Sequence, residues 1–370
     1  MDRNHIKHIL FFFDSRATFS YSNNLFQKMK KLKTIKCSTL VSGNYLDKNM
    51  GVGLNIFKKN KIKITKKAKF LSSNSNKDSW ARNLGLAITE YSKQINKINP
   101  DLIIITGDRI ETLAACLTAT YLNIPIAHIQ AGDKSGHVDD IARAAIAKMA
   151  NLHFASCLDS VKRLLKWGEN KSRIFNVGAP QLDDIDLKIK NLKKRNKIII
   201  IFHPVLNEVK NFKRNILNLY LALSKFSFNY YWIYPNNDYG YKLLIKFLKK
   251  KKTKIKILKN LDRDEFLNLL GETKAMIGNS SSGIIEAPSF KFPVINIGTR
   301  QNMRPQALNI VNCDYKSNSI VKKIKFIFQN KKFQTDLKKT KNLYYKKDSS
   351  MKILSILKKL KKSDKILKKY

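Results

Sequence analysis

The segment Leu102-Ile-Ile-Ile-Thr-Gly-Asp-Arg109 decides the fold class. It begins as a short apolar run rich in β-branched residues, which is typical of a strand buried on both faces of a parallel sheet. The run then ends in a glycine, an acid and a base. Ligands of open parallel sheets bind at the carboxyl ends of the strands. The segment therefore predicts an α/β fold in which Asp108 and Arg109 lie at the edge where ligands bind.

Similar apolar runs alternate with amphipathic helical segments along the rest of the chain, which is the pattern of parallel sheets covered on both faces. The strands predicted in the first half are 6–13, 36–41, 102–106, 126–129 and 153–156, and the helices are 24–33, 80–98, 111–122, 140–149 and 159–167. The strands predicted in the second half are 198–202, 230–234, 255–258, 275–277 and 294–297, and the helices are 211–224, 239–249, 263–270, 283–289 and 320–328.

A chain of 370 residues is too long for one ordinary α/β core, so we predict two domains. An N-terminal α/β domain spans residues 1–182, and a C-terminal α/β domain spans residues 198–350. The polar, lysine-rich stretch 183–197 is the predicted linker between them. Residues 351–370 begin with one apolar stripe and are predicted to form a helix that packs back on the first domain.

The formal net charge of +45 first suggests a nucleic-acid partner. Proteins that bind nucleic acids concentrate positive charge on one face or element and interleave it with aromatic side chains. In this chain the lysines follow nearly every polar helix face and loop, and arginine is much the rarer of the two basic residues. We therefore interpret the charge as compositional and expect no nucleic-acid partner.

The four cysteines, Cys37, Cys116, Cys157 and Cys313, are scattered along the chain and form no CxxC pair. This spacing argues against a zinc site or a disulfide framework and favours a reducing, cytoplasmic compartment. No stretch approaches the ~20 apolar residues that a membrane span requires.

Two strand ends carry single groups that suit proton transfer. Asp108 either caps the helix that begins near Glu111 or exchanges a proton with a ligand. His203 follows the apolar run 198–202 and precedes a proline, and it is either a structural histidine or a functional group at a strand end.

The loop after strand 126–129 is unusually rich in titratable groups. It reads His128-Ile-Gln130-Ala-Gly-Asp133-Lys-Ser-Gly-His137-Val-Asp139-Asp140. Asp139 suits the N-cap of the next helix and Asp140 its N-terminal dipole, but this explains neither Asp133 nor the histidines. A metal site is the alternative, and the irregular spacing of the ligands argues against it.

The strongest local signal lies at residues 277–288, where a strand leads through Asn279, Ser280, Ser281 and Ser282 into a helix that carries Glu286. Serine hydroxyls and backbone N–H groups at a helix N-terminus form an anion site, and the glutamate suits the hydroxyls of a ribose. The alternative is that the serines only cap the helix and that the glutamate binds no ligand.

In combination these motifs resemble those of hydrolysing UDP-N-acetylglucosamine 2-epimerases, from the first strand to about Cys313. The shared motifs are GDR at 107–109, the HI-x-x-G loop with its acidic pair, NVGAPQLD at 176–183, HP at 203–204, PNND at 235–238, GNSSSGIIEAP at 278–288 and INIGTRQ at 295–301. The resemblance implies two Rossmann-like domains that face a cleft, as in the glycosyltransferase-B fold. It also implies a UDP-sugar substrate, no cofactor, no metal and a homo-oligomer, either a dimer or a tetramer.

The resemblance further implies a mechanism in which UDP is eliminated across C1–C2 and water adds to the glycal-like intermediate. The acid and base groups would be Asp108, Asp133 and Asp139, and His203 would lie near the diphosphate or the sugar. The nucleotide contacts implied by position are Arg16, Arg109, Asn236, Lys242, Phe266, Ser280, Ser281, Ser282, Glu286 and Arg300.

The chain departs from the family around the sugar. Where the family commonly reads H-I-H-G-G-E, Gln130 replaces a histidine and Asp133 replaces the glutamate. The expected substrate is UDP-N-acetylglucosamine, released as N-acetylmannosamine for sialic-acid-like (nonulosonate) synthesis. The alternatives are UDP-diacetamido-trideoxyglucose or GDP-N-acetylglucosamine in a legionaminate-type pathway, and a glycosyltransferase of the same architecture.

Overall fold

The computed structural model describes residues 6–46, 53–70, 77–136, 139–189, 195–236, 238–250, 255–259 and 261–360. His137, Asn237, residues 190–194 of the predicted linker and residues 361–370 of the C-terminal segment lie outside these ranges.

The elements up to residue 189 are β1 (His8–Phe13), α1 (Arg16–Lys30), β2 (Lys36–Val41), α2 (Asn55–Lys59), β3 (Lys66–Lys67), α3 (Lys77–Ile98), β4 (Leu102–Thr106), α4 (Ile110–Tyr121), β5 (Ile126–Ala131), α5 (Asp139–Met149), β6 (Leu152–Ala155), α6 (Leu158–Lys166), β7 (Ile174–Asn176) and α7 (Ile185–Ile189). The elements after it are β8 (Lys197–Ile201), α8 (Val209–Leu223), β9 (Asn229–Ile233), α9 (Tyr241–Lys250), β10 (Lys256–Leu258), α10 (Arg263–Gly271), β11 (Thr273–Gly278), α11 (Ser281–Ile285), α12 (Ala287–Phe290), β12 (Val294–Ile297), β13 (Ile310–Cys313), α13 (Ser317–Gln329), α14 (Lys331–Lys338) and α15 (Ser349–Lys358).

The chain divides into two compact units. Unit 1 comprises Met1–Asp133, Asp139–Asp183 and Tyr344–Tyr370, and unit 2 comprises Lys134–Val138 and Asp184–Leu343. The first unit thus ends within one residue of the predicted boundary at 182. The chain returns to it at Tyr344, earlier than the predicted 351, and the short segment 134–138 groups with unit 2.

Unit 1 is built on a parallel sheet with the strand order β3-β2-β1-β4-β5-β6-β7 among the described residues. Successive side chains of β1 point to opposite faces, so Phe11 and Phe13 enter one core and Leu10 and Phe12 enter the other. The C-terminal helix α15 packs into the first of these cores, to which it contributes Ile353, Leu354 and Leu357. Strands β4 and β5 pair near the centre of the sheet, so their carboxyl ends lie side by side.

Unit 2 repeats the architecture with a parallel sheet in the order β10-β9-β8-β11-β12-β13 in the described chain. Its core contains Trp232 together with aliphatic residues of β8, β11 and α8. Strands β8 and β11 pair in register from Ala275 with Ile198 to Gly278 with Ile201, which brings the loops after them together.

The predicted α/β class with two parallel-sheet domains is confirmed. Strands β2, β4 and β12 have the predicted bounds, whereas α2, β3, β7, α7, β13 and α14 were not predicted. Helix α7 lies within the stretch 183–197 that was predicted to be a linker. Helix α1 begins at Arg16 rather than at residue 24, because Ser15 and Thr18 form a capping box at its start. None of the helices in the described ranges has the length and apolarity that a membrane span needs.

Candidate functional site

Asp108 lies at the carboxyl end of β4, directly after Gly107, whose φ is +77°. Its carboxylate forms an ion pair with the guanidinium of Arg143 from α5, and its side chain keeps 17% exposure, so a ligand can reach it. The N-cap residue of α4 is Arg109, not Asp108. The alternative interpretation of Asp108 as a helix cap is therefore wrong.

Arg143 connects three acidic residues at this edge of unit 1. Besides pairing with Asp108, its Nη1 donates to the backbone oxygen of Asp133 at 2.9 Å and to Asp140 Oδ1 at 2.5 Å. The guanidinium is buried, and a planar fork with several donors can satisfy several oxygens at once. Sequence reasoning assigned no role to Arg143, although its position three residues after Asp140 on one helix was a usable signal.

The side chain of Asp133 is buried and accepts hydrogen bonds from two serine hydroxyls. Ser156, just after β6, donates to its Oδ1 at 2.5 Å, and Ser160 of α6 donates to the same oxygen at 2.7 Å. Neither serine was predicted, because both are more than twenty residues away in sequence and only the pairing of β5 with β6 brings them near. Asp139, the third predicted acid–base group, is the first residue of α5 and is half-buried.

Two residues of β5, His128 and Gln130, lie at the same edge of the unit 1 sheet. His128 is fully buried, and its Nε2 donates to the Gly107 carbonyl at 2.8 Å. Burial lowers the pKa of His128 to about 4, so the ring is neutral at ordinary pH. Gln130 lies where the register with β6 shifts and has a φ of +64°, and its Nε2 has no hydrogen-bond partner within the described chain.

Arg109 and Arg16 are the predicted nucleotide contacts of unit 1, and Arg109 lies beside two buried acids. Arg109 Nε donates to Glu111 Oε2 at 3.3 Å. Burial raises the pKa of Glu111 and of Asp14, and the Arg109 charge opposes both shifts. Arg16 is the first residue of α1, and burial lowers its pKa.

In unit 2 the predicted His203 is clamped by Asn279, which follows β11. Asn279 Oδ1 accepts from the His203 backbone N–H at 2.7 Å, and Asn279 Nδ2 donates to the His203 carbonyl at 2.9 Å. His203 Nδ1 accepts from the backbone N–H of Asn236 at 3.2 Å. The neutral ring therefore carries its proton on Nε2, which makes that nitrogen a donor.

The carbonyl of Asn279 also holds the loop after β12. Arg300 donates to it at 3.2 Å and Gln301 at 3.3 Å, and Arg300 lies 3.9 Å from the Asp238 carboxylate. The structure thus brings together three of the predicted residues, namely His203, Asn236 and Arg300, around one asparagine.

Ser280 is the N-cap of α11, and its hydroxyl accepts from the Ser282 backbone N–H at 3.3 Å and contacts the Ser282 hydroxyl at 2.8 Å. The predicted helix 283–289 consists of two short helices, α11 and α12, with Glu286 between them. The Glu286 carboxylate is 6% exposed and accepts from Arg263 of α10 at 3.0 Å. Arg263 was not among the predicted site residues. Ser281, a predicted nucleotide contact, opens α11 and is half-buried.

The remaining two predicted nucleotide contacts are on helices α10 and α9 of unit 2. Phe266 is half-buried on α10, one turn beyond Arg263, and Lys242 is exposed on the first turn of α9. Within the described ranges no group of three or more metal-ligating side chains occurs.

Comparison with known proteins identifies relatives that cover most of the chain. Residues 27–358 match the family model described as UDP-N-acetylglucosamine 2-epimerase. A UDP-N,N'-diacetylbacillosamine 2-epimerase (hydrolyzing) of Legionella pneumophila is 31% identical over 330 residues, which cover 85% of this chain and 87% of that protein. A GDP/UDP-N,N'-diacetylbacillosamine 2-epimerase (hydrolyzing) of Campylobacter jejuni is 32% identical and covers 81% and 82%. A UDP-N-acetylglucosamine 2-epimerase of Neisseria meningitidis is 34% identical over 68% of this chain and 70% of its own.

Among solved structures, that of UDP-GlcNAc 2-epimerase from Neisseria meningitidis bound to UDP-GlcNAc superimposes with a TM-score of 0.81. The alignment covers 95% of this chain and 99% of that one at 17% identity, so the likeness concerns the fold.

Proposed function

Because this chain belongs to the UDP-N-acetylglucosamine 2-epimerase family, we propose that it is a hydrolysing 2-epimerase of a UDP-activated 2-acetamido sugar. In the proposed reaction a base removes the proton from C2, the C1–O bond breaks and UDP leaves. Water then adds across the double bond of the glycal-like intermediate. The products are UDP and the free sugar with inverted configuration at C2.

One observation carries the proposal. Asp108, Asp140 and the Asp133 backbone meet on the single guanidinium of Arg143, at the carboxyl ends of β4 and β5. Proton removal from carbon and protonation of an oxygen both need groups held in fixed positions. We propose Asp108, which remains accessible, as a proton-transfer group, with Asp139 as its partner at the start of α5.

The environment of Asp133 suggests a different task for it. Both of its serine donors reach Oδ1, and the side chain is 3% exposed. A glutamate would extend one methylene further, whereas the shorter aspartate is held among the serines. We propose that Asp133 chiefly fixes the loop whose carbonyl receives Arg143, so that proton transfer falls to Asp108 and Asp139.

For unit 2 we propose nucleotide binding. The pair of Ser280 and Ser282 supplies hydroxyls for phosphate oxygens, and His203, through the donor at Nε2, supplies a further hydrogen bond. Glu286, oriented by Arg263, is the proposed acceptor for ribose hydroxyls. These roles require the two units to face each other across a cleft, which stays a prediction, as does the homo-oligomer.

Two UDP-sugars that differ in the sugar are candidate substrates. The family resemblance suggests UDP-N-acetylglucosamine, whereas the Legionella and Campylobacter relatives, which cover most of the chain, are named for N,N'-diacetylbacillosamine. The second sugar carries an acetamido group in place of one hydroxyl and lacks a second hydroxyl. The buried amide of Gln130 is a donor suited to the carbonyl of that acetamido group.

Proton NMR in heavy water tests the proposal with both UDP-sugars and no acceptor. We expect release of UDP and a free 2-epimer that carries deuterium at C2, and the sugar with the higher kcat/KM is the substrate. Turnover that begins only when an acceptor sugar is added would instead identify a glycosyltransferase. Release of UDP without inversion at C2 would reject epimerisation.

A further inference from the structure

His128 holds the backbone that carries Asp108. Its Nε2 donates to the carbonyl of Gly107 at 2.8 Å. On the same residue the Gly107 N–H donates to the carbonyl of Ile129 at 3.2 Å. Both backbone groups of Gly107 are therefore fixed by β5.

The carbonyl that His128 holds belongs to the peptide unit between Gly107 and Asp108. That unit is planar, so fixing its oxygen also fixes the N–H and the Cα of Asp108. Gly107 needs this support because it has a φ of +77° and because a Cβ built on it would meet no atom within 4 Å.

We propose that His128 is a positioning residue that aims Asp108 by anchoring the Gly107–Asp108 peptide through its Nε2–H. This inference rests on the proposed function, in which Asp108 transfers a proton. A carbonyl oxygen can only accept, so the bond requires the tautomer with the proton on Nε2. The low pKa of His128, about 4, means that the ring stays neutral under assay conditions.

The neighbouring strand offers a matched control. His153 on β6 pairs in register with His128 and is equally buried, but its Nε2 contacts Glu169 at 3.1 Å. The same substitution at the two histidines therefore removes the same volume and burial from adjacent strands. Only the change at His128 removes the anchor of Gly107.

Steady-state kinetics of four variants tests the proposal, with leucine and glutamine placed at each histidine. His128→Leu lacks a donor, and we expect kcat to fall roughly 100-fold with KM nearly unchanged, as for a group misplaced by about 1 Å. His128→Gln keeps an N–H at a similar reach and should recover most of the loss. His153→Leu should lower the melting temperature without changing kcat.

Equal losses in His128→Leu and His128→Gln, or a normal kcat in a folded His128→Leu, would reject the anchoring role. If His128→Leu does not fold, His128→Asn replaces it, because its shorter side chain brings the amide less far toward Gly107.

A second measurement does not depend on turnover. Hydrogen exchange at the Asp108 amide, which is the N–H of the anchored peptide, should be faster in His128→Leu than in the wild type and unchanged in His153→Leu. If the wild type turns over neither UDP-sugar, the proposed reaction fails while this exchange still tests the anchor. Unchanged exchange in His128→Leu would overturn the anchor itself, whatever the activity.

Discussion

The strand ends of the two units are held together by different kinds of contact. In unit 1 the ends of β4 and β5 are joined by a charged side chain, since Arg143 pairs with Asp108 after β4 and donates to the Asp133 carbonyl after β5. In unit 2 the ends of β8 and β11 are joined by a neutral amide, because the Asn279 side chain bonds both backbone groups of His203. The strand ends of unit 1 should therefore be sensitive to substitutions that remove a charge, and those of unit 2 to substitutions that change the shape of a side chain. That contrast matches the proposed chemistry in unit 1 and the proposed binding of the nucleotide in unit 2.

The largest effect should come from removing one charge in unit 1. We expect Asp108→Asn, which keeps the shape of the side chain, to lower kcat by roughly 10²- to 10⁴-fold, the range of a lost proton-transfer group. Affinity for UDP should change little, because the proposed nucleotide contacts are mostly in unit 2. Rapid-quench turnover and calorimetry with UDP measure the two quantities.

The control for this variant is Asp159→Asn, which neutralises an acid of unit 1 that pairs with Arg163 on the surface of α6. A near-normal kcat in Asp108→Asn would remove Asp108 from the proton-transfer groups. It would also remove the claim that charge governs unit 1.

The next prediction compares the loss of stability on substituting Gly107, which follows β4, and Gly278, which ends β11. A Cβ on Gly278 would lie 2.0 Å from the Ile201 carbonyl at a φ of +142°, whereas one on Gly107 would meet nothing within 4 Å. We expect Gly278→Ala to cost roughly 3 kcal/mol or more of unfolding free energy, from strain and collision together. Gly107→Ala should cost roughly 1–2 kcal/mol from its backbone conformation alone.

Hydrogen exchange of peptides from each unit separates the two losses. Equal costs at Gly107 and Gly278 would contradict the expectation that the backbone is packed more closely at the end of β11 than at the end of β4.

A pH effect of similar size should belong to unit 1. Burial lowers the pKa of His128 from 6.5 in the unfolded chain to about 4, so the folded state binds that proton less readily. Its contribution is fully present above pH 6.5 and is lost as the pH falls toward 4, by about 3 kcal/mol in total. Burial raises the pKa values of Asp14 and Glu111 in the folded state. Their contribution to the free energy of unfolding therefore has the opposite pH dependence and decreases as the pH rises.

The contribution of His128 is isolated by denaturant unfolding of the wild type and His128→Gln between pH 4 and pH 7. The difference in unfolding free energy between them should shrink as the pH falls. A constant difference would mean that folding does not lower the pKa of His128.

Much of the fold could be predicted from local sequence, because apolar runs such as Leu102–Thr106 are buried on both faces and are bounded by clear helix patterns. Strand β13 and helix α14 were missed, since Ile310–Cys313 is a four-residue edge strand with an exposed position and α14 has a single buried residue. The sequence pattern there is too weak to distinguish them from loops.

The site was predictable only where its residues are close in sequence. The GDR and serine motifs identified Asp108, Ser280 and Ser282 because strand ends collect them. The partners Arg263 of Glu286 and Ser156 of Asp133 are each more than twenty residues away and approach only through packing of the folded chain. Pairing of this kind has no local sequence pattern, so composition and spacing could not reveal it.

The smallest expected effect concerns the ion pair between Glu286 and Arg263 in unit 2. We expect Glu286→Ala to weaken UDP binding roughly ten- to hundred-fold, which is the 1.5–3 kcal/mol of a hydrogen bond to a charged group. Its kcat at saturating substrate should stay close to that of the wild type, the reverse of Asp108→Asn. Asp264→Ala, which removes an exposed acid from α10, is the control for the loss of charge. If Glu286→Ala bound UDP normally and had a lower kcat instead, the ion pair of Glu286 with Arg263 would act on the reaction and not on nucleotide binding. The proposed division, with catalysis in unit 1 and nucleotide binding in unit 2, would then be wrong.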